Sequence, residues 1–242
     1  MSASRILSID ALDFAYAPHP WPFAEAQAER IAEHWRARVE RQPRLYNGRV
    51  LLLGRHAIGA DRRGVTLSGE YFETDFAAFL AWRDFGFPDL TVANAFAMAA
   101  LVGADGAFLL GEMAAHTSNA GATYFPAGTP DPNDVLDGRV DLAASALREL
   151  QEETGIAADA VACDPSWTVV YAPPRIACLK LTHLGEEAET VKARVEAFLA
   201  ADPEAELSRM RIVRGPADVD RARTPGFLVD FFDFAFAQKS TG

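Results

Sequence analysis

The chain has 242 residues, half of them hydrophobic and about a quarter charged, which suits one large globular domain or two small ones. Its net charge of −11 repels nucleic-acid phosphates, arguing against a nucleic-acid partner, and repels a small anionic substrate unless a bound cation reverses the sign locally. Cys163 and Cys178 are too few for a cysteine zinc site and read as buried free thiols; with no membrane-length apolar run and no secretory signal pattern, the expectation is a soluble cytoplasmic protein.

Residues 1–20 read as an arm with one short strand. A helix starts at Trp21-Pro22-Phe23, carries Ala24, Ala28, Ile31, Trp35 and Val39 at helical spacing, and ends at Gln42-Pro43. The turn Tyr46-Asn47-Gly48 leads into a strand over Arg49–Leu53, and the glycine-punctuated polar stretch Gly54–Arg63 reads as a hairpin or loop. A second helix follows Thr74 as its N-cap and stops at Gly86 and Pro88. A new unit begins near Leu90, so the chain divides into an N-terminal α/β extension (1–89) and a second domain (90–242). Apolar Val92–Val102, the Asp105-Gly106 turn and the strand Ala107–Leu110 spell a hairpin. A polar linker, His116–Gly121, reaches Tyr124–Gly128, and a Pro/Asp-rich loop follows over Thr129–Gly138. After the helix Asp141–Thr154 come strands Ser166–Tyr171 and Arg175–His183, a charged helix Glu186–Ala201, a strand Glu206–Val213 and an aromatic helix Phe227–Ala237. The mixture implies an α+β fold.

Asp141 can cap its helix and Gly155 can take the left-handed position past its end. Ala143, Ala146, Leu147 and Leu150 form an apolar stripe, while Glu149, Glu152 and Glu153 stack on another side. Three carboxylates at that spacing repel each other, and a hard divalent cation such as Mg²⁺ relieves them while keeping waters for a phosphate. The same trio also fits a solvated acidic face.

The surrounding residues favour chemistry. Arg148-Glu149-Leu150-Gln151-Glu152-Glu153-Thr154-Gly155-Ile156 resembles, at every specified position, the second half of the Nudix box, Arg-Glu-U-x-Glu-Glu-x-Gly-U with U aliphatic. Phe125-Pro126-Ala127-Gly128 looks like the Phe-Pro-Gly-Gly that opens it, and the resemblance runs over roughly residues 90–240. It implies an α/β/α sandwich with a mixed sheet. It also implies hydrolysis of a diphosphate linkage in a nucleoside diphosphate joined to another moiety, with Mg²⁺ or Mn²⁺ held by Glu149, Glu152, Glu153 and the Ala127 carbonyl. Arg148 would orient the carboxylates.

Two departures stand out. The glutamate that the box places eight residues before its arginine is Val140 here, and the loop between Gly128 and Arg148 is longer than usual. Asp141 is the nearest acid, one residue out of register, with Asp137 and Asp134 as competitors. Glu204 and Glu206 are candidates for a general base or substrate contact, and Tyr171, in the region that separates subfamilies, for a substrate contact. The N-terminal extension would shape substrate choice or form a homodimer interface. The alternative reading is a Nudix-like module that binds nucleotides without cleaving them; against it, a pure binder has no physical need to keep a repulsive trio.

Overall fold

The computed structural model describes residues 4–117 and 119–239; Met1–Ala3 of the expected arm and Ser118 of the expected linker lie outside them. The first third of the chain gives β1 (Arg5–Ile9), β2 (Ala11–Tyr16), α1 (Pro22–Ala26), α2 (Ala28–Arg41), β3 (Arg49–Asp61), β4 (Gly64–Asp75) and α3 (Phe76–Asp84). The middle gives β5 (Asn94–Val102), β6 (Phe108–Met113), β7 (Thr123–Tyr124), β8 (Val135–Leu136), β9 (Arg139–Val140) and α4 (Leu142–Thr154). The rest forms β10 (Val161–Cys163), β11 (Trp167–Ala172), β12 (Arg175–Leu184), α5 (Ala188–Ala200), β13 (Leu207–Val213) and α6 (Gly226–Lys239).

The strands build two sheets. One has eight strands in the order β1-β11-β12-β5-β6-β13, with β10 beside β12 and β7 beside β6; the other runs β3-β4-β2-β9-β8. The β12–β5 pairing is parallel and its neighbours are antiparallel, so the expected mixed sheet of an α+β fold is present. Strands cross residue 89 in both directions: β1 joins the larger sheet on β11, and β9 joins the smaller one on β2.

Helix α6 lies on one face of the larger sheet. Its Phe227, Phe231, Phe232 and Phe236 close over Phe96, Phe108 and Leu110, which explains why this helix is aromatic. The opposite face is covered partly by α4 and α5, through Leu150, Val191 and Val195, and partly by the smaller sheet, through Leu51, Leu53 and Tyr71. On the far side of the smaller sheet, Trp21, Phe23, Ile31, Phe79 and Trp82 from α1–α3 and the chain leading into α1 pack on Val50, Leu52 and Phe72.

Several expectations are corrected. Of the two readings of Gly54–Arg63, the hairpin holds and the loop does not: the stretch is mostly strand, the outer half of a long β3–β4 hairpin, and Arg55 there pairs with Glu70 at 2.7 Å. Strand β4 escaped the pattern reading because Gly64, Ser68 and Gly69 interrupt its alternation. The helix expected from Pro22 to Gln42 breaks at Gln27, where φ is −110° and ψ 15°. Helix α3 is capped at Asp75 rather than Thr74, and its free Ala77 N–H donates to Asn47 Oδ1 at 2.7 Å. Cys178 is buried but Cys163 is exposed, since β10 pairs only with β12. Among the described residues no helix is long and apolar enough to cross a membrane.

Candidate active site

Helix α4 has the expected ends. The Asp141 carboxylate accepts from the Ala143 and Ala144 N–H groups at 3.0 Å each, and Gly155 adopts φ 70° just past the last turn. Its buried face is rotated from the expected stripe: Leu142, Ser145, Ala146, Leu150 and Glu153 point inward, while Ala143 is exposed. That rotation splits the trio. Glu153 is buried and the Glu149 side chain is only 15% exposed, whereas Glu152 projects outward at 59%.

The Tyr124–Gly128 segment is pinned against the end of this helix. Phe125 is buried among Phe108, Phe231 and Phe232, with ring centroids 5.7–6.0 Å away, and the Pro126 carbonyl accepts from the Ala99 N–H of β5 at 3.1 Å. These anchors turn the Ala127 N–H toward the Glu153 carboxylate. A Cβ on the next residue, Gly128, would fall on the Glu149 carboxylate, so a side chain here would displace that carboxylate.

The electrostatics are lopsided. Burial pushes Glu149 up to about 7; Arg148 opposes the rise, and Glu152, Glu206 and Asp134 add to it. Burial also holds Glu153 well above the usual carboxylate range, reinforced by Glu149 and Glu206 and opposed by the Ala127 N–H. Glu206, in the turn that enters β13, is thereby brought to the cluster. Glu204, two residues earlier, is not: it makes an exposed ion pair with Arg44 at 2.6 Å. Tyr171 lies on β11, where its hydroxyl meets His56 Nε2 at 3.0 Å, away from the Ala127–Gly128 cleft.

Arg148 is clamped from two sides. One terminal nitrogen reaches Glu149 at 2.9 Å and Glu152 at 3.1 Å; the other donates to both oxygens of Asp134, at 3.0 and 3.3 Å. Burial works against the charge of Arg148, yet the Asp134 hydrogen bond and the fields of Glu149, Asp134 and Glu152 raise its pKa above the usual guanidinium value. Asp134 is buried and also accepts from Ser145 Oγ at 3.1 Å and from the Asp131 N–H at 3.0 Å. Among the competing acids it is therefore Asp134 that supports the arginine. Asp141 is occupied as the helix cap and Val140 is buried between the sheets, because β9 pairs with both β2 and β8.

Carboxylate oxygens are the donors that hard divalent cations take, and the buried, mutually repelling Glu149 and Glu153 beside Glu206 are the kind of site such a cation stabilises. Among the described residues no three acidic, histidine or cysteine side chains already converge as a metal cage, since Glu149 and Glu152 turn toward Arg148. Next to this cluster opens a cavity of about 690 Å³, touching Glu153, Ala127, Gly128 and Thr129. Its far walls were not found from the sequence. They come from Arg83 and Phe87, from Asn94 and Arg175, and from the segment Ala222–Phe227, none of which carries a local motif.

Residues 92–213, about half of the chain, match the family model described as NUDIX domain. Among curated proteins none matches. Three solved structures resemble the chain. A Nudix hydrolase from M. smegmatis is 14% identical with a TM-score of 0.42, over 61% of this chain and 84% of that one. The MutT protein from Methanosarcina mazei Go1 is 19% identical with a TM-score of 0.42, over 62% of this chain and 98% of its own. A C. elegans Ap4A hydrolase in a binary complex is 14% identical with a TM-score of 0.42, over 61% of this chain and 98% of its own.

Proposed function

The chain belongs to the Nudix family, hydrolases of phosphoric anhydrides, and from that premise we propose that it cleaves the diphosphate linkage of a nucleoside diphosphate joined to another moiety, with Mg²⁺ or Mn²⁺ as cofactor. The observation that carries this reading is the pair of carboxylates, Glu153 buried and Glu149 largely so, within the electrostatic reach of Glu206 and beside the Ala127–Gly128 turn. Carboxylates held this far from water ionise at a cost that a compensating cation would offset, and Arg148 is already balanced by Asp134.

Glu149, Glu152 and Glu153, with the Ala127 carbonyl, would hold the metal. When bound, a divalent cation neutralises the diphosphate and makes water more acidic. The protein groups do the rest. Arg148, fixed by Asp134, keeps the Glu149 and Glu152 carboxylates oriented. Glu206, exposed beside the glutamate cluster, accepts the proton of the attacking water; the water oxygen bonds to one phosphorus as that phosphorus releases the bridging oxygen with the other phosphate. The cavity receives the rest of the substrate, and the segment 76–87 of the N-terminal extension forms part of its wall.

The test incubates the protein and its Glu152→Gln variant with ADP-ribose, NADH, coenzyme A, nucleotide sugars and dinucleoside polyphosphates, with Mg²⁺ or with EDTA. Glu152 is exposed, so the variant should fold. Metal-dependent turnover that the variant loses supports the proposal. Turnover that survives EDTA or the substitution refutes the metal assignment, and silence across the panel refutes the activity.

A further inference from the structure

The cavity holds a buried acceptor with no donor and an arginine with no carboxylate partner among the described residues. Asn94 opens β5 and Arg175 opens β12; the two are direct partners in the parallel pairing. Partners across parallel strands lie about 4.8 Å apart and share a face, and both side chains line the cavity. Asn94 Oδ1 is buried and has no hydrogen-bond donor among the described residues. No carboxylate among the described residues acts on Arg175, whose guanidinium lies over the rings of Phe87 at 5.5 Å and Phe227 at 5.9 Å. The cavity therefore offers an unmet acceptor beside an unmet donor, between aromatic surfaces.

A flat ring bearing a carbonyl next to a ring N–H answers both groups at once. The carbonyl takes the Arg175 donors and the N–H goes to Asn94 Oδ1. We infer that this cavity selects substrates whose nucleobase presents a lactam edge, as uracil, thymine, guanine and hypoxanthine do, and that Asn94 and Arg175 determine this specificity. Adenine and cytosine project an exocyclic amine where the lactam bases project oxygen, and an amine opposes a guanidinium that has only donors. Phe87 and Phe227, which flank Arg175, lie outside the matched segment 92–213, whereas Asn94 and Arg175 lie within it. The inference rests on the proposal that the substrate is a nucleoside diphosphate derivative.

Binding without catalysis separates the two. With EDTA present, calorimetry would compare UDP, GDP, CDP and ADP on the full-length protein, and then on Asn94→Ala and Arg175→Met variants whose folding is checked by thermal melting. The expected result is UDP and GDP binding at least about tenfold more tightly than CDP and ADP, with that preference falling to within about threefold in Asn94→Ala. Equal binding of all four, tighter binding of ADP or CDP, or a preference that persists in both variants overturns the inference. Affinity that tracks phosphate number and ignores the base also overturns it. Selective binding with no turnover of any diphosphate would refute the hydrolase reading and sustain this one; turnover without base preference would do the reverse.

Discussion

Replacing Asp134 with asparagine tests the support of Arg148 directly. The Asp134 carboxylate is buried and serves four contacts: two from Arg148, one from Ser145 Oγ and one from the Asp131 N–H. Its Oδ2 atom alone receives three of these. An asparagine presents one acceptor oxygen and one NH₂, so at least one donor must face another donor, and the negative charge that balances Arg148 is lost. Hydrogen bonds to charged groups contribute about 1.5–3 kcal/mol, and breaking a buried ion pair costs about 3–5 kcal/mol. Arg148 is one-third exposed and keeps Glu149 and Glu152, so a loss of about 2–3 kcal/mol is expected. For a chain of this length that lowers the melting temperature by about 5–10 °C. With Arg148 unfixed, hydrolysis at limiting Mg²⁺ should fall about 10- to 100-fold. Calorimetric melting and Mg²⁺ activation curves give both numbers. An Asp134→Asn/Val140→Glu double variant sharpens the test. Val140 points into the buried layer between the sheets, so a glutamate there should destabilise further and restore no activity. Rescue by Val140→Glu, or unchanged Mg²⁺ activation in Asp134→Asn, would refute the claim that Asp134 supports the arginine.

Asp141→Ala removes only the helix cap and should cost about 1 kcal/mol in a denaturant titration while leaving the Mg²⁺ activation curve in place. Gly128→Ala puts a methyl where the Glu149 carboxylate sits; urea unfolding should shift by less than about 1 kcal/mol, while the Mg²⁺ needed for half activity rises roughly tenfold. Glu112 accepts from Arg209, Arg211 and Arg223, and the Arg209 hydrogen bond leads in holding its carboxyl down at about 2 against burial. Because the folded pKa is depressed, this stability is present above the usual value near 4.5 and is lost as pH falls toward 2. The three arginines face water, so about 1–2 kcal/mol survives screening, and Glu112→Gln should flatten stability over that acid range. A variant whose acid melting profile matches the parent would show that the cluster contributes nothing.

How much of the site was legible depends on how local its causes are. Helix α4 could be read nearly to the residue, because its cap, its left-handed glycine and its apolar spacing are signals within one short segment. The Phe125–Gly128 turn and the family that it and the helix share were legible for the same reason. The sequence alone placed the glutamates on one helix, but their division into two inward carboxylates and one outward depended on which face packs against the sheets. That rotation follows from contacts of Leu142, Ala146 and Leu150 with strands far away in the chain.

Only the tertiary structure decided between Asp134, Asp137 and Asp141. All three lie in the same long loop or at its end, and spacing along a helix says nothing about acids that precede it. The 3₁₀ turn Pro132–Asp134 and the short β8–β9 hairpin fold that loop back so that Asp134, fourteen positions from Arg148, becomes its partner, while the pairing of β9 with β2 turns Val140 inward. The cavity is the same kind of case. Phe87, Asn94, Arg175 and Phe227 are brought together by a parallel strand pair and the start of the last helix, and contacts between residues that distant leave no periodicity for a sequence to show.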